Sequence, residues 1–351
     1  MIDLLSNRLG PLRNADSDAS LDFFPSELTI LEVILVIFVF VGRQVLHLLR
    51  LDNLFQIKTV SGQNEEIYEL PELSVSMPFR LTEEDLKKYS AAVGSGTEAH
   101  QNLANLLDQA AQKCLLLSAF SEPAMLLLLS HHKSPIRPLG AVNVTNRFEV
   151  LRHDICSVEV LLKAKFAVVA TFVRQARKVK RGLEIDVVVE IVSFDEDVVF
   201  RQVFTMLQFM TFKTKPSAPA QKADELSADM FARGESRAFG MSAGSPRKWA
   251  AICKDYNPIH MSALTAKMFG FRSTIAHGNH TLAIALRRLE NYDDISVYTE
   301  DKPFSMEVHF RRPIVLPATL RALGLQGEDR QYDVCVEQSG KICLSASLKR
   351  G

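Results

Sequence analysis

A pattern that occurs twice constrains this chain more than any other feature. Shifting the sequence by 160 positions sets Phe79 on Phe239, Tyr89 on Trp249, Val93 on Cys253 and His100 on His260, with no gap. Each copy opens with a helix-start signal. In the first, Thr82 precedes Glu83, Glu84 and Asp85; in the second, Ser245 precedes Pro246. A helical stretch follows, His100–Phe120 in one copy and Thr281–Leu289 in the other. Strands are then expected near Val142–Val150, Val158–Val173, Leu183–Phe194 and Val198–Phe212. Their counterparts are Phe304–Arg311, Thr319–Gly324, Gln331–Glu337 and Ile342–Lys349. Val158, Val160 and Leu162 alternate as a half-buried strand does. A helix followed by hairpin-linked strands predicts an α+β fold, an antiparallel sheet packed on a helix. Two such sheets can join edge to edge and cover their exposed edges. The units are bounded by a polar connector at 52–73 and an Ala-, Pro-, Ser- and Lys-rich linker at 213–235, which leaves units at 74–212 and 236–351.

Residues 1–27 form a polar segment ahead of a hydrophobic one at 28–51. Val33 to Val41 is an unbroken run of apolar residues, too short alone for a bilayer that needs about 20. Arg43, His47 and Arg50 then share one helical face, with Val45, Leu46, Leu48, Leu49 and Leu51 around the rest. The segment is read as one helix, about 27–51, that enters a membrane and ends in an amphipathic interfacial turn. A buried strand is the plainer alternative for a run rich in Val and Ile. Five acids (Asp3, Asp16, Asp18, Asp22, Glu27) precede the run, which suits neither a signal peptide nor a mitochondrial presequence. If the helix spans, the basic flank of Arg43, Arg50 and Lys58 stays cytosolic and the rest of the chain faces the cytosol.

The charges balance, 41 basic against 41 acidic, so binding to nucleic acid through bulk positive charge is excluded. Five scattered cysteines without a CxxC pair argue against a disulfide framework and a structural zinc, and favour a reducing compartment.

The chemistry concentrates between Trp249 and Arg287. Asn257 suits an N-cap and Pro258 a first helical position, so His260 falls in the first turn of a helix with Asp255 just ahead. A helix N-terminus favours a carboxylate and disfavours an imidazolium. The pair can therefore hold a water and take its proton. Downstream, Ile275-Ala276-His277-Gly278 leads into another helix, whose first N–H groups can grip a developing oxyanion. Together these are the parts needed to add water to a polarised double bond, or to remove it. His277 is expected to make a supporting hydrogen bond. His277 and His280 stand at i, i+3, but no regular third ligand joins them, so neither metal nor cofactor is expected. Arg311 and Arg312 either hold phosphates or end a solvated strand.

These residues resemble a known signature. DYNPIH followed by FGFRSTIAHG is similar to the D-x-N-P-[IL]-H and I-A-H-G motifs of the MaoC-like hydratases, the (R)-specific enoyl-CoA hydratases and 3-hydroxyacyl-thioester dehydratases. FRRPIVLPATL, Phe310 to Leu320, is similar to the family's following strand, so the strong resemblance covers roughly 239–348. PLGAVNVTNRFEVLR at Pro138–Arg152 looks like the degenerate half of double hot-dog members, in which sheets wrap long helices. The resemblance implies a hydro-lyase of fatty-acid metabolism that interconverts trans-2-enoyl and (3R)-3-hydroxyacyl thioesters of CoA or of an acyl carrier protein. It implies Asp255 and His260 as catalytic dyad, Asn257 as its orienting neighbour and the Gly278 N–H as oxyanion donor. A homodimer or a heterodimer fits it. Lys254 stands where the family usually has Gly, and Asn279 where Met is common; Lys254 points to solvent or touches a carrier phosphate. In the first unit Ser95 replaces the Asp and Glu98 the Pro, so His100 alone makes no pair. That half is expected to be inactive and to shape the acyl tunnel, with Met125–Leu129 as lining or plain core. The rival from another class is a non-catalytic acyl-thioester binder or scaffold that kept the fold.

Overall fold

Alternating burial lays down the sheet. In SVSMPF, Ser74–Phe79, every second side chain is buried (Val75, Met77, Phe79), and FAVVATF, Phe166–Phe172, repeats the rule. The computed structural model describes residues 8–49, 57–61, 66–94, 109–152, 154–212, 231, 234–289, 304–328 and 330–350. Its helices are α1 (Gly10–Asn14), α2 (Ile30–Leu48), α3 (Glu83–Val93), α4 (Ala110–Ser130), α5 (Val158–Lys163), α6 (Ser245–Cys253), α7 (Pro258–Met261), α8 (Ala263–Met268) and α9 (Gly278–Leu289). The strands of the first half are β1 (Asp18–Ser20), β2 (Lys58–Ser61), β3 (Glu66–Glu69), β4 (Ser74–Phe79), β5 (Ala141–Val150), β6 (Phe166–Phe172), β7 (Gln175–Val179), β8 (Gly182–Ser193) and β9 (Val198–Phe209). Those of the second are β10 (Glu235–Met241), β11 (Phe304–Phe310), β12 (Ala318–Gln326), β13 (Gln331–Gln338) and β14 (Lys341–Arg350).

The strand order is β1-β4-β6-β8-β9-β5-β11-β14-β13-β12-β10. Read outward from the β5·β11 seam, each half has the same topology: β5, β9, β8, β6, β4 mirrors β11, β14, β13, β12, β10. The seam is antiparallel, from Phe304↔Val150 to His309↔Thr145. Each half wraps a helix, α4 in the first and α9 in the second, which is the double hot-dog arrangement. All of α4 is buried. The equivalent Tyr89 and Trp249 meet between the halves, ring centroids 5.9 Å apart. Buried Gln112 stitches them further, accepting from Tyr89 Oη at 2.7 Å and donating to Ala283 O at 2.9 Å.

Several expectations are corrected. The first core helix is Ala110–Ser130, ten residues beyond the expected start, and 100–108 lie outside the described residues. Val158–Lys163 is helix, not strand: Ser157 caps it by accepting from Val160 N, and Lys163 pairs with Glu159 one turn back at 2.6 Å. Local capping outweighs three alternating residues, and the strand begins only at Phe166. Residues 1–27 are not merely a polar leader. Leu9, Leu12, Leu21 and Phe23 are buried, and β1 extends the sheet parallel to β4. The 52–73 connector holds β2 and β3, and β3 pairs with β7. Of the 213–235 linker, 213–230 lie outside the described residues, and its last residue opens β10.

The hydrophobic segment is helical from Ile30 to Leu48, shorter than 27–51, and Thr29 starts it with a capping box. Thr29 Oγ1 accepts from Glu32 N at 3.3 Å, and Glu32 Oε2 accepts from Thr29 N at 2.8 Å. The helix does not stand free of the body. Val33, Val36, Phe40 and Arg43 face inward and are buried. Arg43, expected on an exposed basic flank, instead donates to the last carbonyls of α4, those of Leu129, Ser130 and His131. The opposite face, Ile30, Ile34, Phe38, Val41, Val45 and Leu48, is exposed along the whole helix.

Candidate active site

The segment between α6 and α9 folds back on itself around one imidazole. Helix α6 ends at Lys254, whose φ of 59° is left-handed. A glycine takes that conformation freely, whereas a side chain strains it. The turn delivers Asp255, whose Oδ1 accepts from Asn257 N at 3.1 Å. Asn257 Oδ1 then accepts from Ile259 N at 3.3 Å and starts α7. Because α7 is one turn long, its dipole is slight, and the expected dipole effect on His260 is replaced by a specific bond. His260 Nδ1 lies 2.7 Å from Ile275 O. A carbonyl only accepts, so Nδ1 carries a proton, and in the neutral ring it is Nε2 that presents the lone pair. Ile275 N donates to Ile259 O at 3.0 Å, so the two segments hold each other in place.

His260 Nε2 is 3.8 Å from Asp255 Oδ2. No proton lies between a bare nitrogen and a carboxylate, so the two do not bond directly. A water that donates to both by hydrogen bonds of about 2.8 Å spans about 4.4 Å at its own H–O–H angle, so a gap of 3.8 Å needs to open by only about half an ångström to seat one. His277 lies under His260, its ring stacked at 3.8 Å. His277 Nε2 donates to Asp255 O at 3.1 Å, which fixes the main chain carrying the carboxylate. Burial, with His260 beside it, pushes the His277 pKa well below its ordinary value, so the ring is neutral. Asp255, His260 and His277 each offer an atom within 4.8 Å of the others. Since His277 Nε2 carries a proton for Asp255 O, it has no lone pair to give a cation, and the donor set does not suit a metal. His280 points elsewhere, toward Ala92 O at 2.9 Å, stacked on Trp249.

Gly278 is the first residue of α9, where an N–H has no partner within its helix. A Cβ there would lie 2.2 Å from Phe310, so only glycine lets this helix start come so close to β11. Dyad and helix start share a cavity of about 480 Å³. Lys254, Arg311 and Arg312 all line it. Arg311 Nε donates to Ser345 Oγ at 3.2 Å, and exposed Arg312 donates to Ile342 O at 2.8 Å. Burial lowers the Lys254 pKa. Ser95, Glu98 and His100 lie outside the described residues.

Sequence reasoning missed three features of the site. The first is its roof: Val33, Val36, Ile37 and Phe40 of α2 line the cavity together with residues of the first unit such as Met125 and Leu129. Leu127 and Leu128, by contrast, are plain core. The second is a polar chain at the cavity wall. Asn143 donates to Asn146, Asn146 to Asn279 Oδ1, and Asn279 to Ser118 Oγ, at 2.9, 3.0 and 3.2 Å. This gives Asn279, where Met is common, a task between the two units. The third is Glu122, the one acid in α4, also in the cavity wall. The last signal was visible in LLLSAFSEPAMLLLL; the other two needed the fold.

Residues 237–342 match the model of the MaoC like domain. Over 226 residues the chain is 28% identical to the 3-hydroxyacyl-thioester dehydratase X of Mycobacterium tuberculosis, covering 64% of this chain and 72% of that protein. The crystal structure of HtdX from Mycobacterium tuberculosis superposes with a TM-score of 0.57 at 22% identity, covering 79% of this chain and 100% of that one. A MaoC-like dehydratase from Phytophthora capsici gives 0.57 at 14%, covering 79% and 95%. The resemblance to the MaoC-like family read from the sequence is borne out, and the fold is shared with these dehydratases.

Proposed function

We propose that this chain is a hydro-lyase that adds water to a trans-2-enoyl thioester of CoA or an acyl carrier protein, and removes it from the (3R)-3-hydroxyacyl thioester. The observation that carries this reading is the 3.8 Å gap between a bare imidazole nitrogen and a carboxylate oxygen, in a cavity that also holds the Gly278 helix start. In the hydration direction, water between them gives a proton to His260 Nε2 and its oxygen bonds to the β-carbon. Asp255 stabilises the imidazolium that forms. The double-bond electrons move toward the thioester oxygen, which the Gly278 N–H receives, and then return to bond a proton at the α-carbon. Asn257 and His277 hold Asp255 in place through its side chain and its main chain. Lys254, Arg311 and Arg312 offer cations to the carrier phosphates. A relative whose name is a 3-hydroxyacyl-thioester dehydratase supports the substrate class.

The test is loss of the enoyl-thioester absorbance band on adding the full chain to crotonyl-CoA and to decenoyl-CoA. We expect turnover to the (R) product and a fall of about 10²–10⁴-fold in Asp255→Asn. Equal, near-zero rates in wild type and variant would leave an acyl-thioester binder; an (S) product would contradict the family mechanism.

We further propose that α2 lies in the plane of a membrane, not across it, with the body on the cytosolic side. Its inner face is occupied by the cavity and by the Arg43 contacts to α4, while its outer face is an apolar stripe of helix length. Phe38, 67% exposed, is central to that stripe. Phe38→Ser with Leu48→Ser is expected to abolish co-flotation with phosphatidylcholine–phosphatidylserine vesicles while leaving kcat unchanged. A wild-type chain that stays out of the vesicle fraction sinks the idea.

A further inference from the structure

Helix α4 is sealed in the core of the unit that lacks the dyad, yet it carries a carboxyl group into the cavity that holds the dyad. Glu122 is 8% exposed, and what exposure it has lies on the cavity it lines with Asp255, His260, His277 and Gly278. Among the described residues no donor or cation meets its carboxyl group. Pro123 follows it and deprives the α4 ladder of one N–H at this point. An acid buried so deeply without a partner costs stability, which a packing role does not explain.

We propose that Glu122 is the proton donor of the reaction, the acid that works opposite the Asp255–His260 base, so that both units contribute to one active site. The inference rests on the hydration–dehydration reading above. Two carboxyls facing one small cavity do not both ionise readily, and their surroundings separate their roles. Asp255 receives a backbone N–H on one oxygen and two histidines near the other. Glu122 receives nothing. Burial, and then the neighbouring Asp255 charge, raise its pKa well above the ordinary carboxyl value, which keeps it protonated. Other buried titratable groups on the elements packed against α4 are engaged elsewhere or neutral. Cys253 at the end of α6 is a buried thiol whose pKa burial also raises. On α9, His280 is bonded to Ala92 O. On β8, Asp186 is bonded to Arg177 and Thr205. On α2, Arg43 is bonded to the α4 carbonyls. The remaining cations of the cavity wall are Lys254, Arg181, Arg311 and Arg312.

The step balances. One water O–H bond breaks and its proton goes to His260 Nε2. The water oxygen bonds to the β-carbon as the double bond becomes an enolate. The Glu122 O–H bond then breaks, and a C–H bond forms at the α-carbon. Water in the cavity returns the proton from His260 to Glu122. In dehydration the same groups act in reverse: the Glu122 carboxylate takes the α-proton, and the imidazolium protonates the leaving hydroxyl.

The experiment uses the full chain with crotonyl-CoA and decenoyl-CoA, plus infrared spectra of the protein alone. Glu122→Gln keeps the shape and neutrality but cannot give up a proton. Its kcat is expected to fall at least about 100-fold with KM within about threefold, and the alkaline limb of the kcat profile to disappear. The free protein at neutral pH should show the C=O band of a protonated carboxylic acid, absent from Glu122→Gln and retained in Asp255→Asn. A kcat in Glu122→Gln within threefold of wild type overturns the proposal, as does a wild-type infrared band unchanged in that variant. If the Gln variant does not fold, Glu122→Asp draws the acid back by one methylene, and a wild-type rate in it is equally fatal. Should wild type hydrate neither substrate, the functional reading fails, while the infrared arm still decides whether Glu122 holds a proton.

Discussion

Lys254 and Gly278 stand on either side of the dyad and show opposite ways of making a tight turn. Lys254 accepts backbone strain at φ 59° to place Asp255, whereas Gly278 removes a side chain to let Phe310 in. Lys254→Gly should relieve about 1 kcal/mol of left-handed strain and lose about half of it to the greater freedom of glycine when unfolded. Urea unfolding should then show a net gain of about 0.5 kcal/mol. Gly278→Ala should do the reverse to function. With Cβ 2.2 Å from Phe310, the helix start or the ring must move, and we expect kcat/KM to fall about 100-fold. Phe310→Leu added to Gly278→Ala should restore part of the rate, and a double variant no better than the single would show the clash to be irrelevant.

At the scale of elements, α2 is tied to α4 chiefly by Arg43. Arg43→Ala leaves the carbonyls of Leu129, Ser130 and His131 without that donor, at a cost of about 3 kcal/mol. Thermal unfolding should report it, with binding of medium-chain enoyl-CoA weakened because Val36 and Phe40 of the roof shift with the helix. The sequence allowed the existence of α2 to be read but not its two faces. The run from Val33 to Val41 is apolar all round, so periodicity offers no inward side, and burial of Arg43 depends on carbonyls 86 residues away. The same limit explains α5, where a serine cap competed with alternation and won. Asp255, His260 and Gly278 were legible because spacing along one short segment sets their geometry. Glu122 and the α2 lining come from distant segments, and only the wrapped sheet brings them to the cavity.

At the scale of the whole molecule, the interior holds neutral imidazoles. His280 and His131 have pKa values lowered by burial to about 4, and that of His277 lies well below its ordinary value. The unfolded chain takes up these protons near pH 6.5, while the folded chain does not. Unfolded protein therefore binds more protons between about pH 6.5 and 4, and stability is lost as pH falls through that window. For His280 alone the loss is about 3 kcal/mol. Denaturation midpoints across this range should fall with pH, and His280→Gln should flatten the slope. An unchanged slope would mean that His280 titrates normally.

Helix α2 also has a consequence for synthesis. It leaves the ribosome ahead of both repeats, while its anchor points on α4 follow 86 to 88 residues later. Throughout that interval both its sticky sides are naked. The helix therefore waits for its seat until α4 has been made and the first repeat can close around it.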